Sequence, residues 1–458
     1  MAEGGATPRK WSSNLMFLAA AIGSAVGMTN IWKFTYVAGA NGGGAFVIIY
    51  LLACAGIVFP ALVAEFLIGR RGGGSVVGNM RVLAERENIS PRWRYFAFMA
   101  LLGVFLALSF YAVVAGWMVD YFVLAASGRF GGLDASGAAA MLQEMMGDPL
   151  RMMFYQALFL AATALTVSLG IHKGLERVLS WMTPGLFVIL LVLLGYSVLE
   201  ADFAGGVRFL FNPDFSRVDA GVVLAAIGQA FFSIGVGVGV LMTIGAYMDR
   251  QSSIMRSSVV VVIADAAAAI CAGLAIFPII LAHGLSPAEG PGLVFATLPI
   301  AFSQIVGGSV LGALFFILVA VAAFTSAVTL METIVAWLEE ATRLSRGVIS
   351  LMVGAALWLV GLLTVFSFNI WADFHPLGFW KPMAGKTVFD VLDYLVSNII
   401  MPLGGILVAV LAGWALSRKS AAEELGLDET GGVFRLWLFA TRFLVPVAVL
   451  ALFIVNLG

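Results

Sequence analysis

Charge is scarce in this chain: of 458 residues only 11% are Asp, Glu, Lys or Arg, while 61% are hydrophobic. The mean hydropathy of +1.03 lies far outside the range of soluble domains. Cysteine is almost absent, and Cys54 and Cys271 both fall within apolar runs. That excludes a disulfide framework and a thiolate metal site, leaving two small buried hydrophobes. The three histidines, His172, His283 and His375, sit at loop positions without ligand spacing to Cys, Asp or Glu, so metal chemistry has no support. H-E-x-x-H, G-x-S-x-G and P-loop patterns are missing, which argues against an intramembrane enzyme. No basic run or stacking aromatic cluster points to nucleic acid.

What the chain has in abundance is long hydrophobic runs. A membrane span needs about 20 predominantly apolar residues. Eleven stretches qualify, near 15–38, 44–69, 95–126, 152–171, 180–199, 221–248, 254–282, 308–340, 347–368, 388–416 and 433–456. Residues 1–458 therefore read as one all-α, polytopic transmembrane domain in a lipid bilayer. The first run follows Arg9 and Lys10 and contains Trp32 and Lys33, so it is read as a retained helix. Arg70, Arg71, Arg81, Arg86, Arg92 and Arg94 crowd one class of loops, whereas the other class is poorer in Lys and Arg. This bias predicts a cytoplasmic amino end and, after an odd number of spans, a carboxyl end outside. The stretch Pro287 to Gln304 is too short to span twice and suits a capping or re-entrant hairpin.

Two of the runs are interrupted by small residues at matching places: Gly23 to Asn30 in the first, Phe231 to Gly239 in the sixth. A helix crossing lipid cannot leave its amides unpaired, so loosened backbone at mid-membrane is tolerable only beside a ligand or cavity. On spacing alone, Gly23-x-x-x-Gly27 and Gly235-x-x-x-Gly239 fit close helix packing better than a site. Asn30 and Ser233 within the breaks, and Asp265 in the next span, favour a site, because polar groups at that depth face a pathway or a partner. Broken helices offer free amides for a carboxylate and free carbonyls for a cation. Thr325 and Ser326 add adjacent hydroxyls suited to a hard cation, although such residues often bond back to their own helix. Glu65, near the inner end of the second run, either accepts bonds from loosened backbone or snorkels to the interface. Runs one to five (about 12–200) and six to ten (about 220–417) superpose break on break, with 433–456 as an extra helix. Five spans per half would insert the second half upside down, as an inverted repeat requires.

At these residues the chain resembles the neurotransmitter:sodium symporter family, the LeuT-like group. Trp11-Ser12-Ser13, Gly23 to Phe34 and Asn41 to Phe46 match the family's first-helix signature; Ser109-Phe110-Tyr111 through Gly116-Trp117, Gln229 to Ser233 and Thr325-Ser326 extend the match. The resemblance implies a 5+5 inverted repeat with broken first and sixth helices, eleven transmembrane helices, and a place in the bacterial amino-acid branch. It further implies Na⁺-coupled uptake of a zwitterionic small molecule across a bacterial inner (plasma) membrane by a monomer or weak dimer. A first Na⁺ site would use Ala25, Asn30, Ser233 and Asp265 with the substrate carboxylate; a second, Gly23, Val26, Ala322, Thr325 and Ser326. The substrate would lie among Ser24, Ala25, Gly27, Thr29, Ala107, Tyr111, Phe232, Ser233, Gly235, Val238, Ser326 and Leu330. Lys33 and Asp393 would form an outer charged gate over Phe232 and Gln229, and Arg9, Trp11, Tyr247 and Glu340 an inner one. The spacing of Gly174 and Pro184 matches a motif that lets the fifth helix unwind.

Three departures from the family pattern are informative. Lys33 replaces the usual Arg, keeping the charge but losing the planar fork. Thr29 stands where Gly or Ala is usual, beside the expected carboxylate, and leaves an osmolyte, taurine-like or amine substrate as the alternative to an amino acid. Ala264 replaces an amide ligand, so Asp265 becomes its substitute, and a fixed carboxylate there would remove any need for chloride. Ala107, Gly235 and Val238 are small, which implies a bulky hydrophobic or aromatic substrate.

Overall fold

The computed structural model describes residues 10–286 and 292–457. Among the described residues every regular element is helical. Nine helices among the described residues are long and apolar enough to cross a membrane: Gly44–Gly72, Pro91–Ala126, Pro149–Ser168, Ile171–Glu200, Ile254–Ala282, Gly308–Ala341, Arg346–Ser367, Val388–Ala415 and Gly432–Val455. The first span is a bent pair, Asn14–Ala25 and Thr29–Ala40, turned by 49°. The sixth comes as two pieces, Ala220–Ile234 and Val240–Ala246. Together these account for all eleven apolar runs. The stretch expected to form a hairpin gives one turn-and-helix, Leu293–Thr297 with Leu298–Ser303; residues 287–291 lie outside the described residues.

The helices start where local chemistry caps them. Ser13 accepts a hydrogen bond from Met16 N, Asp219 from Val222 N and Ser253 from Arg256 N, each satisfying an amide that lacks an intrahelical partner. The third and eighth spans pack along each other through the middle, and the fifth and eleventh expose most of their surface. Few charges enter the core, and two clusters of them are ion-paired across spans. Arg151 meets Asp120 through two contacts of 2.9 Å, fastening the third span to the fourth. Arg346 pairs with Glu332 and Glu339, bridging the eighth and ninth.

Glycine decides how closely the sixth span approaches the tenth. Gly237 has φ +101°, and a Cβ there would lie 2.4 Å from Met401 O and 2.6 Å from Gly405 N. Gly404 reciprocates, since its Cβ would fall 1.9 Å from Gly237 O. Gly237→Val is expected to destabilise by about 3 kcal/mol or more through left-handed strain and overpacking. Thermal unfolding in detergent checks this against Gly195→Ala, where a Cβ meets nothing within 4 Å.

Candidate functional site

Both predicted interruptions are breaks in the backbone. In the first span the helix ends at Ala25 and resumes at Thr29; between them Val26 adopts φ −77°, ψ 86°, and Asn30 Oδ1 accepts from Gly27 N at 3.0 Å. In the sixth span Gly235, Gly237 and Gly239 all have positive φ, at +75°, +101° and +77°. Only glycine takes that conformation without cost, so alternating glycines unwind this stretch. Glu65 is fully buried and its Oε1 accepts from Gly237 N at 2.8 Å, which selects its backbone-binding role over snorkelling.

Around these breaks the polar residues collect into two groups. Asn30 Nδ2 donates to Ser233 Oγ at 2.9 Å and to Asp265 Oδ1 at 2.7 Å. Ser233 Oγ donates to both Asp265 oxygens at 2.9 and 3.0 Å, and Tyr50 reaches Oδ2 at 3.3 Å. Residues from four spans thus close on one carboxylate. Nothing in the sequence signals Tyr50, which sits in an unbroken apolar run. In the second group Ser326 Oγ lies 3.4 Å from Gly23 O, 3.1 Å from Ser24 O and 3.3 Å from Ala322 O. Thr325 Oγ1 donates to Ala322 O at 3.0 Å, and Thr329, also unforeseen, donates to Ser24 Oγ at 3.0 Å. Ala25 and Val26 are buried in the same stretch. Every donor atom in both groups is oxygen apart from amides, a set suited to a hard monovalent cation and unsuited to zinc or copper.

One cavity lies between the breaks. All twelve predicted substrate residues border it: Ser24, Ala25, Gly27, Thr29, Ala107, Tyr111, Phe232, Ser233, Gly235, Val238, Ser326 and Leu330. Phe110, Ile234, Val240, Val396 and Met401 complete the wall and make it mostly apolar. The Tyr111 hydroxyl is buried here without a hydrogen-bond partner among the described residues. Gly27 keeps the polar end open, since a Cβ there would stand 2.7 Å from Ser326 Oγ and 3.6 Å from Tyr111 Oη.

A second cavity, a vestibule, adjoins the first through Thr29, Phe110, Tyr111 and Phe232, and both Lys33 and Asp393 line it. The expected ion pair between them is not formed: Lys33 Nζ rests 3.7 Å from the centroid of the Phe232 ring, and Asp393 accepts from Ser397 at 2.9 Å. Gln229 Nε2 reaches Thr29 O at 3.4 Å, linking the two broken spans. At the opposite end Trp11 donates through Nε1 to Ile244 O and through its amide to Tyr247 O, both at 3.0 Å, and its ring meets that of Tyr247 edge-on. Tyr247 donates to Glu332 at 3.2 Å. Glu340 instead accepts from Ser75 N and Oγ at 2.7 and 2.5 Å, while Arg9 lies outside the described residues. Gly174 falls in one wide turn, Ile171–Glu176, and Arg177–Glu200 runs on through Pro184, so the fifth span is wound here.

The model of the sodium:neurotransmitter symporter family matches residues 9–130 and 139–457. The chain belongs to that family. It is 35% identical over 453 residues to the sodium-dependent transporter YhdH of Bacillus subtilis, with 98% of each chain covered. It is 30% identical over 457 residues to a sodium-dependent transporter of Haemophilus influenzae, again with 98% of each covered. Among solved structures it matches MhsT in complex with L-phenylalanine at a TM-score of 0.88 and 39% identity, covering 97% of this chain and 99% of that one. The fold is therefore the LeuT type, and the chain is a multi-pass membrane transporter of a sodium-coupled family that takes up a small molecule between its spans.

Proposed function

We propose that this symporter imports a hydrophobic or aromatic amino acid with two Na⁺ and without chloride. The observation that carries the reading is the cavity between the two breaks, polar at the Gly27–Tyr111–Ser326 end and apolar towards Val238, Leu330 and Met401. A zwitterion with a large apolar side chain meets both halves. The solved relative's complex with L-phenylalanine supports the same class. One Na⁺ would sit among Ala25, Asn30, Ser233, Asp265 and the substrate carboxylate; the other among Gly23, Val26, Ala322, Thr325 and Ser326. Lys33 and Asp393 approach across the vestibule as the outer gate closes over Phe232 and Gln229. Trp11 and Tyr247 part as the inner gate opens. The amino end faces the cytoplasm of a bacterial cell and the carboxyl end the outside.

Energetics favour two ions for steep accumulation. A ten-fold Na⁺ gradient supplies about 1.4 kcal/mol per ion, and 100 mV adds about 2.3 per charge. Two ions give on the order of 7 kcal/mol, enough to hold a substrate gradient of roughly 10⁵ at full coupling, against a few hundred-fold for one.

Purified protein in liposomes tests the reading. With Na⁺ outside and a negative interior, labelled L-phenylalanine is expected to accumulate above empty vesicles and to compete with L-tryptophan and L-leucine, but not with betaine, taurine or dopamine. Uptake of the latter group instead would overturn the substrate class; Na⁺-stimulated binding without uptake would mark a sensor. Tyr111→Phe removes the buried hydroxyl aimed at the carboxylate. A hydrogen bond to a charged group is worth about 1.5–3 kcal/mol, so affinity is expected to fall about 10- to 100-fold, read by scintillation proximity binding.

A further inference from the structure

A third crevice, of about 360 Å³, lies between the outer half of the sixth span and the tenth and eleventh spans. Lys33, Gly228, Gln229, Ser397, Leu452 and Val455 are among its walls. Gly228 opens it, since a Cβ at that position would meet only Leu452 Cδ2, at 3.6 Å. Its rim is apolar and faces outward, with Val455 on the eleventh span well exposed. Its floor is polar and unsatisfied. Gln229 is 2% exposed, and while its Nε2 reaches Thr29 O, its Oε1 has no partner among the described residues. Lys33 makes no ion pair among the described residues and rests its ammonium on the Phe232 ring.

These groups specify an occupant. A lone buried acceptor demands a donor, and an ammonium without a counter-ion demands an anion, because each is costly left unpaired in low dielectric. A bare carboxylate serves only the second need. The exposed apolar rim calls for hydrocarbon, which the surrounding bilayer supplies. We propose that the crevice binds an anionic phospholipid of the glycerol-headgroup type, its phosphate on Lys33 Nζ, a headgroup hydroxyl donating to Gln229 Oε1, and an acyl chain leaving past Leu452 and Val455. Lys33 also borders the vestibule that Asp393 lines, so the bound phosphate competes with Asp393 for one cation. Membrane charge thereby acts on the outer gate.

The test is direct binding and needs no transport assay, so it stands apart from the substrate assignment. Full-length protein, delipidated in detergent, is titrated with phosphatidylglycerol, phosphatidylethanolamine and phosphatidylcholine, and bound lipid is counted by native mass spectrometry. All three lipids carry a phosphate, but ethanolamine and choline bring a cation close to Lys33; one unit of net negative headgroup charge beside a Lys is worth about 5-fold, the expected preference for phosphatidylglycerol over the other two. Gly228→Leu and, on the same wall, Ala225→Leu plug the crevice and are each expected to abolish that preference, as is Lys33→Gln; thermal unfolding midpoints verify that each variant is folded. Equal binding of the three lipids to the unaltered protein overturns the proposal. So does a preference that survives in folded plugged variants, including the case where only Lys33→Gln removes it, which would put the anion in the vestibule.

Discussion

Replacing Thr325 and Ser326 together by alanine is expected to abolish Na⁺-stimulated substrate binding. The argument begins from what surrounds Ser326 Oγ: three carbonyls, of Gly23, Ser24 and Ala322, lie within 3.4 Å of one hydroxyl that can donate to only one of them at a time. Carbonyl oxygens converging in a buried space repel one another unless a positive centre stands among them. A cation of Na⁺ size would draw the Ser326 hydroxyl round to present its lone pair, as it would that of Thr325, now bonded back to Ala322 O at 3.0 Å. Removing both hydroxyls leaves too few ligands to replace the ion's water shell. Substrate binding in saturating Na⁺ should then fall to the level measured in K⁺. Because Ser326 also joins the first break to the eighth span, the conservative Thr325→Ser with Ser326→Thr serves as control and should retain part of the Na⁺ response. An unaltered Na⁺ dependence in the double alanine variant would remove the second ion from the proposal.

Which of these features could be read from the chain alone follows from their physical range. Hydropathy marks spans because each needs only its own 20 residues, and glycine clusters mark breaks because their backbone freedom is local. Thus the eleven runs, both interruptions and the twelve cavity residues were legible, the last with help from the family signature. The fifth span illustrates a local limit: Lys173, Glu176 and Arg177 depress hydropathy, so the apolar run starts near 180 although the helix begins at Ile171. Long-range partners were another matter. Tyr50 meets Asp265 across 215 residues, and Glu65 meets Gly237 across 172. The sequence offers the Glu65 role only as one of two and names no partner for it, and a tyrosine on an apolar helix looks like packing until its neighbour is known. Lys33 and Asp393 show the remaining limit. Sequence gives two opposite charges, but whether they touch depends on how far the two gate helices are tilted. Here the Phe232 ring is the nearer partner for the cation.

Asp265→Ser is expected to make transport depend on chloride. Asp265 is fully buried and holds Asn30, Ser233 and Tyr50 about one carboxylate, at the side of the cavity where a cation and the substrate carboxylate would meet. With two Na⁺ and a zwitterion, the fixed negative charge of Asp265 lowers the net charge that must be sheltered in low dielectric. Serine deletes that charge and frees space for an anion, while keeping a hydroxyl for Asn30 and Ser233. An uncompensated buried charge costs several kcal/mol, roughly 3–5 on breaking a buried pair, so uptake in gluconate medium should drop by 100-fold or more and recover as chloride is added. Asp265→Asn separates charge from space: it fills the site and offers a similar amide network, so chloride should rescue it poorly. Were Asp265→Ser to transport equally well in gluconate and chloride, the carboxylate would be an anchor for Asn30 and Ser233 rather than a counter-charge. The geometry would still explain the broken first span, because Asn30 Oδ1 accepts from Gly27 N while its amide is also held by Ser233 Oγ and by the backbone carbonyl of residue 265.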